Sequence, residues 1–193
     1  AEVELGNSLR TRLAHKAGLL MYRTGKSADA QVQLDRALAL AHQAADRQAG
    51  AVLLADLGLI HRNRGRNAEA MEHYRQAISA THESQDRQTA AITLARIGLL
   101  LRDRGQTTDA MEHFHQSIEM SREVGDRYCE GCSLADLASI HHQKGQTEEA
   151  IAQLQQALTI HREVGNRRGE GHTLANLGYL YSSQDRIPEA LEH

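Results

Sequence analysis

Residues 46–85 read DRQAGAVLLADLGLIHRNRGRNAEAMEHYRQAISATHESQ, and residues 86–125 read DRQTAAITLARIGLLLRDRGQTTDAMEHFHQSIEMSREVG. The second stretch restarts the first after 40 residues. DRYCEGCSLADLASIHHQKGQTEEAIAQLQQALTIHREVG restarts it again at Asp126, and NRRGEGHTLANLGYLYSSQDRIPEALEH does so at Asn166 and stops short. Counting back from Asp46 lands on Gly6, where a more divergent copy fits. The chain therefore reads as one domain over 1–193, built from units at about 6–45, 46–85, 86–125, 126–165 and a shortened 166–193. A fixed period of this length marks stacked supersecondary units, none of which buries its apolar face alone.

Each unit predicts two antiparallel helices. Asp46, Asp86, Asp126 and Asn166 suit an N-cap, where a short side-chain oxygen accepts from a free first-turn amide. Apolar residues then recur at helical spacing, as in AVLLADLGLIHR. Gly25, Gly65, Gly105 and Gly145 suit the positive φ of a helix end, with Asp185 in the last copy. A second helix is expected from about Ala68 to Ser84, and Pro188 falls at the start of its last counterpart, where a missing N–H does no harm. Connections this short force antiparallel neighbours. Two columns stay small: Gly18, Gly58, Gly98, Ala138 and Gly178, and Ala30, Ala70, Ala110, Ala150 and Ala190. Small residues at these places let paired backbones approach while bulky neighbours such as Leu57 and Tyr74 interdigitate.

The pattern Leu54-x-x-Leu57-Gly58-x-x-His61, followed by Ala70-x-x-x-Tyr74, resembles the tetratricopeptide repeat in spacing. Leu174-x-x-Leu177-Gly178-x-x-Tyr181, followed by Ala190, is similar to it more closely. The period resembles the long-helix variant found in kinesin light chains, spindle-orientation adaptors and bacterial signalling proteins. The resemblance implies an all-α, right-handed superhelical solenoid of about five repeats, the last incomplete. It implies a scaffold whose concave groove binds a peptide or helix of a partner protein. Two alternatives stand beside that function: a sensor array within a larger bacterial signalling protein, and self-association into a homo-oligomer through the terminal repeats.

Helical geometry at 100° per residue picks out the groove face. In residues 47–63, Val52, Asp56, Leu59 and Asn63 share a side away from the motif residues. The column Lys16, Asp56, Arg96, Asp136 and Asn176 is polar in every copy, although it sits between apolar neighbours. In the resembling families this column often carries an asparagine that hydrogen-bonds a bound peptide's backbone, and Asn176 has that residue type. Asn63, Asp103 and Tyr179 come from the flanking columns and complete the expected peptide-binding set. Lys16, Asp56, Arg96 and Asp136 also alternate in sign, so salt bridges between neighbouring repeats are a natural second use of the same residues.

The remaining chemistry points away from catalysis. The net charge is −3, so the chain has no basic stripe for nucleic acid. No apolar run approaches the ~20 residues of a membrane span. Cys129 and Cys132 are the only cysteines and form no disulfide framework, which fits a reducing, cytoplasmic setting. His141 lies nine residues beyond Cys132 on the same helix, too far to share one metal ion with it. His172 stands one repeat after Cys132 and is the better third ligand, but three ligands do not close a structural zinc site. His141 is expected to pack inward and His142 to face solvent. No phosphate loop, H-E-x-x-H or nucleophile elbow occurs. The expectation is therefore no enzyme, no catalytic residue, no metal and no cofactor.

Overall fold

The computed structural model describes residues 2–184, with side chains from residue 7. Its helices are α1 (Glu2–Arg23), α2 (Ser27–Gln43), α3 (Arg47–Asn63), α4 (Asn67–Ser84), α5 (Arg87–Asp103), α6 (Thr107–Val124), α7 (Arg127–Gln143), α8 (Thr147–Glu163) and α9 (Arg167–Ser183). Among the described residues there is no strand. The final second helix with Pro188 and Ala190, its entry at Asp185, and the terminal LEH lie outside the described residues.

The local signals act as their chemistry requires. Asp46 Oδ1 accepts from the Ala49 amide, Asp86 from Thr89, Asp126 from Cys129, and Asn166 Oδ1 from Gly169, each at 2.9–3.0 Å. These caps start α3, α5, α7 and α9. Gly65 and Gly105 take φ of 73° and 74° between the two helices of a pair. Gly125 and Gly165 do the same between pairs, but Ala45 and Gln85 hold the equivalent places at φ 50° and 56°. A side chain in that left-handed region costs roughly 1 kcal/mol, which glycine avoids.

The chain divides into two compact units, Ala1–Arg96 and Ile97–His193, the boundary falling within α5. In the first, α1 packs on α2, α2 on α3 and α3 on α4. Its core gathers Leu34, Ala37 and Ala41 of α2 with Leu53, Leu57 and Ile60 of α3. In the second unit, α6 packs on α7, α7 on α8 and α8 on α9. There Ile151, Leu154 and Leu158 of α8 meet Leu177 and Leu180 of α9.

The small column leaves room for the side chain opposite. A Cβ at Gly58 would run into the ring of Tyr74, and one at Gly98 would sit 2.9 Å from Phe114 Cε1. Both rings are wholly buried. Leucines lie opposite in two further copies: a Cβ at Gly18 would sit 2.8 Å from Leu34 Cδ2, whereas Ala138 packs in one cluster with Leu154.

The second unit also carries a charged joint, used twice. Arg122 and Arg127 grip the buried carboxylate of Glu130 at 2.7 and 2.6 Å. Forty residues on, Arg162 and Arg167 grip Glu170 at 3.0 and 3.1 Å and hold its carboxyl below the ordinary value. Arg127 reaches Glu163 as well, at 2.6 Å.

Candidate functional site: the face of the first helices

In the first unit, the expected column becomes a buried charge node. Asp56 sits in the middle of α3 between apolar neighbours and is almost fully covered. His15 of α1 donates from Nε2 to Asp56 Oδ2 at 2.7 Å, and Arg96 Nη1 lies 2.9 Å from Oδ1. One carboxylate thus ties three successive first helices. Burial alone would raise its pKa, but the His15 hydrogen bond and the Arg96 charge outweigh burial and hold it below the ordinary value. The partner from α1 is His15, not Lys16, which is exposed. One residue along a helix is a 100° turn, enough to carry Lys16 to the open side. Asn63 is exposed at the end of α3 and donates to the Tyr22 hydroxyl.

In the second unit the same face is open. Tyr128, Cys132 and Asp136 form a four-residue-spaced stripe along α7, and Arg168, His172 and Asn176 form its counterpart on α9. Most of these residues, with Arg102, line a cleft of about 470 Å³. A recess of about 130 Å³ adjoins it, lined by Ala138, His142, Leu154, Asn176, Tyr179 and Leu180. Ser139 lines both. Asp136 is held by Arg102 Nη1 at 2.7 Å, and Arg102 also lies 3.7 Å from Asp103. Asn176 Nδ2 stands 3.5 Å from His172 Nδ1. Tyr179 is exposed and meets the His142 ring edge-on, with centroids 5.6 Å apart and planes at 81°. His142 is therefore half-buried beside an aromatic ring rather than simply solvated. His141 packs inward and its Nδ1 pairs with Gln146 Oε1 at 3.0 Å.

His15, Arg102, Tyr128 and Arg168 were not singled out from sequence. Tyr128 and Arg168 occupy one column, eight residues before Asp136 and Asn176, and that four-residue spacing was the signal that could have found them. Cys129 is buried, with its sulfur 3.7 Å from the Ser117 hydroxyl. Burial, with the Asp136 charge nearby, pushes the Cys132 thiol up to about 11. Among the described residues, no three His, Cys, Asp or Glu side chains are placed to hold one metal ion. None of the described helices is long and apolar enough to cross a membrane.

A tetratricopeptide repeat model matches residues 88–163 and 132–193, and a second tetratricopeptide repeat model matches 51–84. Several solved structures share the fold. BtubC (BKLC) from P. vanneervenii is 14% identical with a TM-score of 0.78, over 98% of this chain and 85% of that one. A kinesin light chain-type protein of Podosopora anserina, with nearly identical TPR-like repeats, is 17% identical with a TM-score of 0.70, over 95% and 90% of the two chains. A Rap protein complexed with Competence and Sporulation Factor is 16% identical with a TM-score of 0.80, over 95% of this chain and 52% of that one. Identities this low carry the fold alone. No curated protein matches the chain by sequence.

Proposed function

The chain belongs to the tetratricopeptide repeat family, and on that premise we propose that it is a protein-interaction module whose open first-helix face binds a peptide or helix of a partner protein. The observation that carries the proposal is the cleft of the second unit with its neighbouring recess, the two having Ser139 in common. It offers what a peptide needs: an apolar floor at Ala138, Leu154 and Leu180, and polar groups along its walls at Asn176, His172 and Arg168. Asn176 supplies both a donor and an acceptor for a peptide backbone. The likeness to Rap, whose structure holds a bound factor, supports the same use of the fold.

The first unit is a poorer candidate, because the charges on its equivalent face already satisfy one another at Asp56. Selection of a random peptide library on the immobilised chain tests the proposal. Peptides enriched on the native protein are expected to lose at least about tenfold in affinity for the Asn176→Ala/Tyr179→Ala variant, which removes a central polar anchor and an aromatic one. The far-UV circular dichroism of that variant should be unchanged. Enriched peptides that bind the variant as tightly as the native chain would refute the assignment.

A further inference from the structure

His61 of α3 and His73 of α4 lie face to face in the first unit. Their ring centroids are 5.0 Å apart and their planes meet at 28°. His61 is buried. The Nδ1 atoms of both rings are out of solvent, with no hydrogen-bond partner among the described residues. The stack belongs to one copy alone. The same two columns hold Met21 with Gln33, Leu101 with His113, His141 with Gln153, and Tyr181 with His193. No other copy has a histidine in both.

A proton changes what this contact costs. An imidazolium carries an N–H at both nitrogens, so protonation leaves a buried donor at Nδ1 with nothing to accept it. A second proton would set two cations 5.0 Å apart. Burial is the largest influence on His61 and lowers its pKa, and the charges of His73 and of Arg66 in the turn act the same way. Glu69 of α4 and Asp35 of α2 oppose them and do not win. From α1, Tyr22 reaches the end of α3, where its hydroxyl accepts from Asn63. His61 also closes the turn into α4, since its carbonyl accepts from the amides of Arg64 and Arg66 at 3.1 and 2.9 Å. A ring driven out of the stack therefore pulls on the residue that holds this turn.

We propose that the His61–His73 stack is an acid-sensitive latch, closed while both rings are neutral and released by protonation, which loosens α4 from α3. Because His61 titrates lower in the folded state, its contribution is complete above its unfolded value of about 6.5 and is lost as pH falls through the lower folded value. The latch lies in the first unit and uses no residue of the peptide cleft, so the two proposals stand or fall separately.

Two measurements on the full chain test it. NMR follows the imidazole C–H signals from about pH 8 to about pH 5, with His61 assigned through its backbone resonances. His61 is expected to titrate below 6.5. It should move up in His73→Gln, which removes the facing charge and installs the residue found at Gln153. Hydrogen-exchange protection factors of the α3 and α4 amides are then compared at about pH 7 and about pH 5. Protection should fall several-fold with acid in the native chain, and less in His73→Gln and in His61→Leu, which installs the residue found at Leu101. Burial lowers the pKa of His113 and His161 too, but they respond alike in every variant, so the difference between variants reads the stack. A native His61 that titrates at the ordinary value overturns the proposal, and that result needs no variant to fold. Protection that falls as far in the variants as in the native chain overturns it as well.

Discussion

Replacing Gly58 with alanine isolates the contact that sets the spacing inside a helix pair. The added methyl would overlap the ring of Tyr74, whose side chain is wholly buried. Overpacking of this kind costs about 1–3 kcal/mol. The same change also removes a glycine from a helix, which returns roughly 0.5–1 kcal/mol. Gly50 provides the reference, because it lies on the same helix and a Cβ there meets nothing within 4 Å. The helix-propensity gain is common to both variants to first order. The difference between them therefore reads the steric cost, and Gly50→Ala is expected to be the more stable by about 1–3 kcal/mol.

Urea unfolding followed at 222 nm, with hydrogen exchange of the α3 and α4 amides, measures the difference. Exchange is needed because repeat arrays do not always unfold as one unit. The double variant Gly58→Ala/Tyr74→Leu rebuilds the pairing found at Ala138 and Leu154, so it should lose less than the sum of its two single changes. A Gly58→Ala protein as stable as Gly50→Ala would refute the reasoning.

Other outcomes follow from single residues. Gln85→Gly should raise stability by about 0.5–1 kcal/mol by relieving a left-handed side chain, and Gly125→Ala should lower it by about 1 kcal/mol, both read from urea midpoints. Because Asp56 titrates lower in the folded state, its contribution is complete above its unfolded pKa of about 3.8 and is lost as pH falls through the lower folded value. The stability of Asp56→Asn should therefore depend less on pH below about 4 than that of the native chain, a comparison made by urea titration at several pH values. With its thiol raised from 9.0 to about 11, Cys132 should react with a thiol reagent near neutral pH about a hundredfold more slowly than an exposed cysteine. Stopped-flow labelling of the Cys129→Ala variant measures it.

The period, the caps and the small columns were legible because each is a local rule repeated at a fixed spacing. Asp46 caps α3 by reaching an amide three residues away, so its role is readable within one turn. The pairing of Asp56 with Arg96 was readable as well, since one repeat separates two opposite charges in one column. His15 was not, because its bond to Asp56 depends on how α1 is rotated against α3, and one residue's difference in column decides between it and Lys16. Arg102 escaped for another reason. Its long side chain reaches Asp136 from a different column, and column logic tracks backbone positions rather than side-chain reach. Gln85 and Ala45 show the limit for turns, since tertiary packing holds them in a conformation that their residue type does not announce.

The arginine–glutamate joint of the second unit has an evolutionary consequence. Residues 126–165 begin with the acceptor Glu130 and end with the donor Arg162, while Arg122 before them and Glu170 after them supply the complementary halves. A segment with such ends is complementary to a copy of itself. Tandem duplication of these 40 residues would arrive with its junction already built, because the new boundary would again set an arginine beside a glutamate. Lengthening of the array by gene duplication then needs no new interface, only faithful copying of an old one.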